Sequence, residues 1–240
     1  MRLDGYRVVV TAAGRDFGRS LAIELAERGA EVFASARDVA AVERVRAATG
    51  LDGVHAFACD LTDGASVRGF AAAVGERTDS IDVLINNGAR YLDGPELSDA
   101  DDAEIAETIA SGATGTILAV KHFLPLLERS PRPDIVTMVS ACADAGHHRS
   151  DAHPAFYAAK HAQAGFTEVL SHRLRPRGVR VMALYPPDFT NPDRLSPQWE
   201  ATSRTAADPL TAASLIDCVL FAIKQPRDCF LRGLHFEQVR

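Results

Sequence analysis

The chain has 240 residues, 47% of them hydrophobic and 24% charged, with a formal net charge of −6. That length fits one large α/β domain with a buried core, and a mildly acidic chain without a block of Lys and Arg argues against a nucleic-acid or anionic-membrane surface. No apolar run approaches the roughly 20 residues that span a bilayer, and the start of the chain lacks the charged-then-apolar form of a signal peptide, so the expectation is a cytoplasmic protein.

Val8-Val9-Val10 is a run of β-branched residues, followed by the turn Thr11-Ala12-Ala13-Gly14-Arg15-Asp16-Phe17-Gly18 and then by Leu21, Ala22, Leu25 and Ala26 at helical spacing. This predicts a strand, a tight loop and a helix. Unpaired N–H groups and the positive dipole end of the helix, reached through small residues, form a cradle for a pyrophosphate, although such turns also occur for packing alone. Gly29 is placed to end the helix, and Glu31–Ala36 reads as a second strand. An acid at the end of that strand would hold the ribose hydroxyls of NAD and repel a 2′-phosphate; Ala36 stands there instead, followed by Arg37. Arg15 and Arg37 are either two bidentate partners for such a phosphate or two solvated surface arginines.

A helix with Val39, Val42 and Val45 on one face leads to a third strand, Val54–Ala58, and to Cys59-Asp60-Leu61. Asp60 is either an acceptor for an adenine amino group or a turn residue. A helix carrying Val67, Phe70, Ala71 and Val74 precedes a fourth strand at 83–85, which ends in Asn86-Asn87-Gly88-Ala89. Ser98, followed by Asp99, Asp101, Asp102 and Glu104, reads as an N-cap with acids in the first turn. The fifth strand, 135–139, ends at Ser140, either a site residue or a turn former.

The loop 145–154 holds His147, His148 and His153, which are solvated loop residues or, for His148 and His153, an acid or base near neutral pH. A helix over 154–174 and a sixth strand over 179–184 follow, then Tyr185-Pro186-Pro187-Asp188. The proline-rich stretch 191–209, with the only tryptophan, Trp199, reads as a substrate lid. A helix through Leu215, Ile216, Val219, Leu220 and Ile223 and a strand around 230–236 close the chain. Strands alternating with helices, each strand apolar on both faces, predict one α/β domain over 1–240: a doubly wound parallel sheet of about seven strands with helices on both faces. Ligands then sit beyond the carboxyl ends of the strands. Cys59, Cys142, Cys218 and Cys229 are widely spread with no C-x-x-C pair and read as buried reduced thiols, with no metal site.

The Thr11 to Gly18 loop, Asp60-Leu61, Asn86-Asn87, Ser140 and Lys160-x-x-x-x-Gly165-Phe166-Thr167, in this order and spacing, resemble the short-chain dehydrogenase/reductase family over nearly the whole chain. The resemblance implies a Rossmann-type fold and a nicotinamide cofactor, which the arginines favour as NADP(H). It implies cofactor contacts at Thr11, Gly14, Arg15, Phe17, Gly18, Arg37, Asp60, Leu61, Asn87, Lys160 and Pro186, and catalytic roles for Ser140, Tyr157 and Lys160. Several positions depart from the family pattern. Its loop is Thr-Gly-x-x-x-Gly-x-Gly, whereas Ala12 and Asp16 stand at the first two glycines, and Asp16 either opposes a pyrophosphate or turns away to cap the helix. Gly112 replaces the asparagine of the family's proton relay, and Pro187 replaces a glycine. In the family's Tyr-x-x-x-Lys motif the tyrosine position falls on Phe156; Tyr157 comes one residue late, swung by roughly 100°. Tyr157 either approaches Lys160 or packs against a subunit or neighbouring helix.

The expectation is an NADP(H)-dependent oxidoreductase moving a hydride between nicotinamide and a small-molecule carbonyl, alcohol or activated C=N or C=C group. The alternatives are non-redox catalysis on the same scaffold, by isomerisation, elimination or cyclisation, and a catalytically inactive nucleotide-binding relative. The helices over 113–127 and 154–174 carry apolar and small residues around much of their circumference, and the resemblance implies that they pair in a homodimer or homotetramer.

Overall fold

Strands with apolar side chains on both faces are buried only where helices cover both sides of a sheet, and alternate residues of these strands feed two separate cores. The computed structural model describes residues 2–238. Its strands are β1 (Arg7–Val10), β2 (Glu31–Ala36), β3 (Val54–Ala58), β4 (Val83–Asn86), β5 (Asp134–Met138), β6 (Arg180–Tyr185) and β7 (Gly233–His235). They form one parallel sheet in the order β3-β2-β1-β4-β5-β6-β7. Val8 and Val10 of β1 pack with Leu21 and Leu25 of α1 (Asp16–Glu27), Val42 of α2 (Val39–Thr49) and the apolar face of α8 (Ala212–Lys224). Val9 points the other way, into a core shared with α3 (Gly64–Gly75), α5 (Gly115–Leu127) and the end of α6 (Pro154–Leu174). The remaining helices, α4 (Asp102–Ile109) and the short α7 (Pro197–Ala201), lie in the connections after β4 and β6.

Local chemistry sets the element ends. Gly29, at φ 94°, supplies the left-handed residue after α1, and its N–H donates to Ala26 O at 2.8 Å. Asp101, not Ser98, caps α4: its carboxylate accepts from Glu104 N at 2.8 Å, while Glu104 returns a bond to Asp101 N at 3.3 Å. Ser98 instead lies in a preceding 3₁₀ turn, Leu97–Asp99. The acids there are too closely spaced for sequence to tell which one begins the helix. The last strand is three residues, shorter than the apolar pattern over 230–236 suggested. Cys59 and Cys142 are buried as expected of free thiols, but Cys218 and Cys229 are only partly covered.

At the N-terminal edge of the sheet Asp134 is buried against Arg180, with Arg180 Nε and Nη2 donating to its two oxygens at 2.8 and 2.6 Å. Arg180 also donates to the carbonyls of Ile223, Gln225 and Cys229, satisfying acceptors left open where α8 ends. Arg227 Nη1 also donates to Asp134, at 2.6 Å, so two ion pairs on one carboxylate join β5 and β6 to the end of α8 and the segment after it.

At the opposite edge, the loop after β1 departs from easy backbone geometry. Ala12 (φ 53°) and Asp16 (φ 49°) are the two non-glycine residues with left-handed φ among the described residues. Asp16 does not cap α1. The N-cap is Arg15, without a side-chain bond, and the Asp16 carboxylate turns outward to lie 3.4 Å from Arg15 Nε. Its own left-handed backbone aims it away from the free N–H groups. Gly88 faces this loop, and a Cβ added there would lie 3.0 Å from Ala12 Cβ and 2.2 Å from Leu61 Cδ1.

Three stability measurements follow. Asp134→Ala leaves Arg180 buried and uncompensated, so urea unfolding is expected to show a loss of about 3–5 kcal/mol. Ala12→Gly relieves about 1–2 kcal/mol of left-handed strain but adds chain entropy to the unfolded state, for a net gain of roughly 0.5–1 kcal/mol. Gly88→Ala is expected to be better tolerated in the Ala12→Gly background than alone.

Candidate active site

The strand order reverses direction between β1 and β4, and the loops leaving those two strands must part to opposite faces of the sheet. Two side chains hold the junction. Thr11 Oγ1 accepts from the N–H groups of Asn87 (3.0 Å) and Gly88 (3.2 Å), and Asn87 Nδ2 donates to the carbonyls of Thr11 (3.3 Å) and Ala12 (3.2 Å). Gly18 lets α1 approach this knot: a Cβ there would sit 2.3 Å from Ala12 O and 2.4 Å from Asn87 Nδ2.

Above the junction opens a cleft of about 1110 Å³ along the carboxyl ends of the strands. Gly14, Arg15, Phe17, Gly18, Arg37, Asp60, Leu61, Asn87, Ser140, Lys160 and Pro186 all line it. Thr11 does not; it is buried beneath, as the clasp of the junction. Phe17 meets Phe189 edge-on at 5.5 Å between ring centres, closing one wall. Asp60 is a turn residue, its Oδ1 accepting from Thr62 N (2.9 Å) and Thr62 Oγ1 (2.7 Å). These bonds, the backbone one first, hold its carboxyl below the usual carboxylate range, and it still faces the cleft.

At the end of the cleft beside β2, Arg15 and Arg37 are exposed, and Arg44, which sequence reasoning missed, joins them from α2. Arg44 lies 3.3 Å from Asp38, whose other oxygen caps α2. Its alignment with Arg37 depends on how α2 leaves the sheet, which residue spacing alone does not define.

The far end is built on α6. His153 begins this helix: fully buried, it accepts from Ala155 N through Nδ1 at 3.1 Å, while Nε2 lies 3.3 Å from Leu97 O. Both ring nitrogens are thus occupied in structure. His147 and His148 sit on the preceding loop, and none of the three histidines lines the cleft.

Lys160 is buried, with Nζ donating to Met138 O at 2.9 Å and Gln163 Oε1 at 3.0 Å. Gln163 passes the connection on, its Nε2 donating to Gly112 O and Thr116 Oγ1, both at 2.9 Å. Burial pushes the Lys160 ammonium down to about 7, with the Cys142 thiol opposing the shift. The Lys160 nitrogen lies 5.3 Å from the Phe156 ring centre, and Tyr91 meets the same ring edge-on at 5.1 Å. Gly112 lies in a π-helical turn, Ala110–Thr114, packed so tightly that a Cβ would stand 3.0 Å from Ala159 Cβ.

Of the three catalytic candidates, Ser140 and Lys160 meet in the cleft and Tyr157 does not line it. The Tyr157 hydroxyl bonds to Ser150, accepting from its N–H and donating to its carbonyl, each at 3.3 Å. Cys142, buried and packed with Phe156, does line the cleft, and Tyr157 packs partly buried against the same cluster. The stretch 191–209 is less irregular than expected, since it contains α7. It is fastened to α1 by Arg194 on Glu24 and Glu27 (2.9 and 2.8 Å) and by Arg19 on Asp193 (2.8 Å).

Residues 6–200 match the family model described as short chain dehydrogenase. The chain is 34% identical over 189 residues to D-threitol dehydrogenase of Mycolicibacterium smegmatis, covering 77% of this chain and 70% of that protein. It is 31% identical over 198 residues to retinol dehydrogenase 13 of Mus musculus, again over 77% of this chain but only 58% of the relative's length. Among solved structures, 3-ketoacyl-(acyl-carrier-protein) reductase from Brucella melitensis, complexed with NADH, superposes with a TM-score of 0.83 at 24% identity, covering 97% of this chain and 96% of that one. A metagenomic short-chain oxidoreductase in complex with NADP superposes with a TM-score of 0.77 at 25% identity, over 97% and 96% of the two chains. With that family match spanning most of its length and this sheet order beneath it, the chain belongs to the short-chain dehydrogenase/reductase family.

Proposed function

We propose that the protein is an NADP(H)-dependent oxidoreductase acting on a small-molecule carbonyl or alcohol, or on an activated C=N or C=C group. The observation that carries this reading is the cleft over the β1–β4 junction, where buried Lys160 and Ser140 face the loop that ends at the N-terminus of α1. The cleft suits a dinucleotide. Gly18 and Gly88 let the chain pack closely beneath the cleft, and the N–H groups at the start of α1 carry no side-chain cap, so they remain available to an anion. When bound, the nicotinamide cofactor supplies or accepts the hydride.

The residues of this chain then divide the work. Arg37, with Arg15 and Arg44, receives a 2′-phosphate; Ala36 ends β2, and the nearby Asp38 is engaged in capping α2 and pairing with Arg44. Lys160 holds the nicotinamide ribose, and Ser140 orients the substrate oxygen. Phe156 stands where the family's tyrosine would, a placement supported by its ring lying against Lys160, and it has no proton to give. Tyr157, packed against Cys142 and Phe156 beside the cleft, takes part in handling the proton. The stretch 191–209, anchored on α1, covers the substrate end of the cleft. The histidines that non-redox acid–base chemistry would recruit stay outside the cleft, which favours hydride transfer. Exposed Ile117 (41%) on α5 and Val169 (51%) on α6 suit pairing of these helices in a homodimer or homotetramer.

NADPH is expected to bind more tightly than NADH, and Arg37→Ala to weaken NADPH by about 1.5–3 kcal/mol while leaving NADH nearly unchanged. Fluorescence titration of both proteins with both nucleotides checks this, and equal affinities in the wild type would contradict it. The lowered Lys160 value gives a second expectation. Between about 7 in the folded protein and about 10.4 for a free lysine, the unfolded chain binds the extra proton, so this group makes stability rise with pH across that window. The thermal midpoint of the wild type should therefore gain on that of Lys160→Met from pH 6.5 to 9.5. A difference that stays flat with pH would mean that Lys160 is not buried as a strained cation.

A further inference from the structure

We propose that the Cys142 thiol gives the proton to the substrate oxygen, replacing the hydroxyl that Phe156 lacks. The inference rests on the oxidoreductase reading and names the acid which that reading requires.

Cys142 lies in the single turn Ala141–Ala143 that follows Ser140. Its N–H donates to Ser140 Oγ at 3.1 Å, so the serine hydroxyl and the thiol are carried on one rigid turn at the same end of the cleft. The residue is 3% exposed, and it packs with Phe156, Ala152 and Tyr157. The thiol is thus set against the ring whose far end would bear the missing hydroxyl. Beside it packs Tyr157, whose hydroxyl is tied to the Ser150 backbone. Lys160 lines the same end of the cleft, its Nζ 5.3 Å from the centre of the Phe156 ring against which Cys142 packs. Other donors are worse placed. Tyr91 also lines the cleft, but it is 52% exposed and not held in place by packing as Cys142 is; Tyr157 does not line the cleft, and His153 is consumed in capping α6.

The step balances as follows. As the carbonyl carbon takes up the hydride supplied by the nicotinamide cofactor, the C=O π pair moves onto oxygen. That oxygen takes the Cys142 proton: the S–H bond breaks, the O–H bond forms, and the thiolate remains beside Lys160. Tyr157 then hands a proton to sulfur and recovers one from water at the Ser150 loop. Oxidation of the alcohol runs the same transfers backwards.

The test uses the full-length protein with NADPH and a panel of ketones, aldehydes and imines. Cys142→Ala is expected to lower kcat and kcat/KM by about 10²–10⁴-fold, the usual worth of a positioned acid, with NADPH affinity and thermal midpoint little changed. Cys142→Ser, which keeps an O–H donor in nearly the same place, should recover part of the loss, and Cys218→Ala and Cys229→Ala should behave as wild type. A second readout does not depend on turnover. Iodoacetamide should alkylate Cys142 more slowly in Lys160→Met, because the cation no longer favours the thiolate, and more slowly in wild type with NADPH bound. Turnover by Cys142→Ala within about threefold of wild type, or alkylation indifferent to Lys160→Met, would overturn the proposal. NADPH binding without oxidation by any substrate in the panel would instead overturn the oxidoreductase reading, and the proton step with it.

Discussion

The crossing of the chain between β1 and β4 is the constraint from which the site follows. Parallel strands that diverge to opposite faces leave a gap at their carboxyl ends, and unpaired backbone groups there must be satisfied by something other than the sheet. Thr11 and Asn87 do this reciprocally: one hydroxyl takes two N–H groups from the β4 side, and one amide gives two bonds to carbonyls on the β1 side. The cleft can therefore be open and rigid at once. Gly18 completes the arrangement by letting the helix touch the knot.

Within that frame, Ala12 holds a left-handed backbone position facing Gly88. A Cβ at residue 88 would lie 3.0 Å from that of Ala12, too close for both to be filled without movement. The glycine opposite leaves room for the Ala12 methyl, while the backbone strain at residue 12 is retained.

The other end of the cleft turns on a buried cation. Lys160 is fastened by Met138 O and by Gln163, and Gln163 reaches on to Gly112 and Thr116. Desolvation makes the ammonium expensive, so a neighbouring group able to become an anion is worth more here than at the surface. Phe156 cannot serve, since its ring offers Lys160 only a quadrupole. The thiol of Cys142 can, and the same turn that carries it also carries Ser140.

The sequence by itself determined the sheet, its helices and most of the cofactor end of the cleft. Apolar alternation and helix periodicity are local signals, and the loops at strand ends must lie on one edge once all strands are parallel. Hence strand direction alone places Gly14, Gly18, Arg37, Asp60 and Asn87 on one edge of the sheet. The tertiary structure decided what local spacing does not encode. Whether Tyr157 or Cys142 faces the cleft depends on how α6 rotates against the turn after β5, and Tyr157 turned to Ser150. His153 became a helix cap because Leu97, 56 positions away, supplied its second partner. Asp16 pointed outward because its own backbone is left-handed. In each case the outcome was set by a partner or a backbone angle that arises only when distant segments pack.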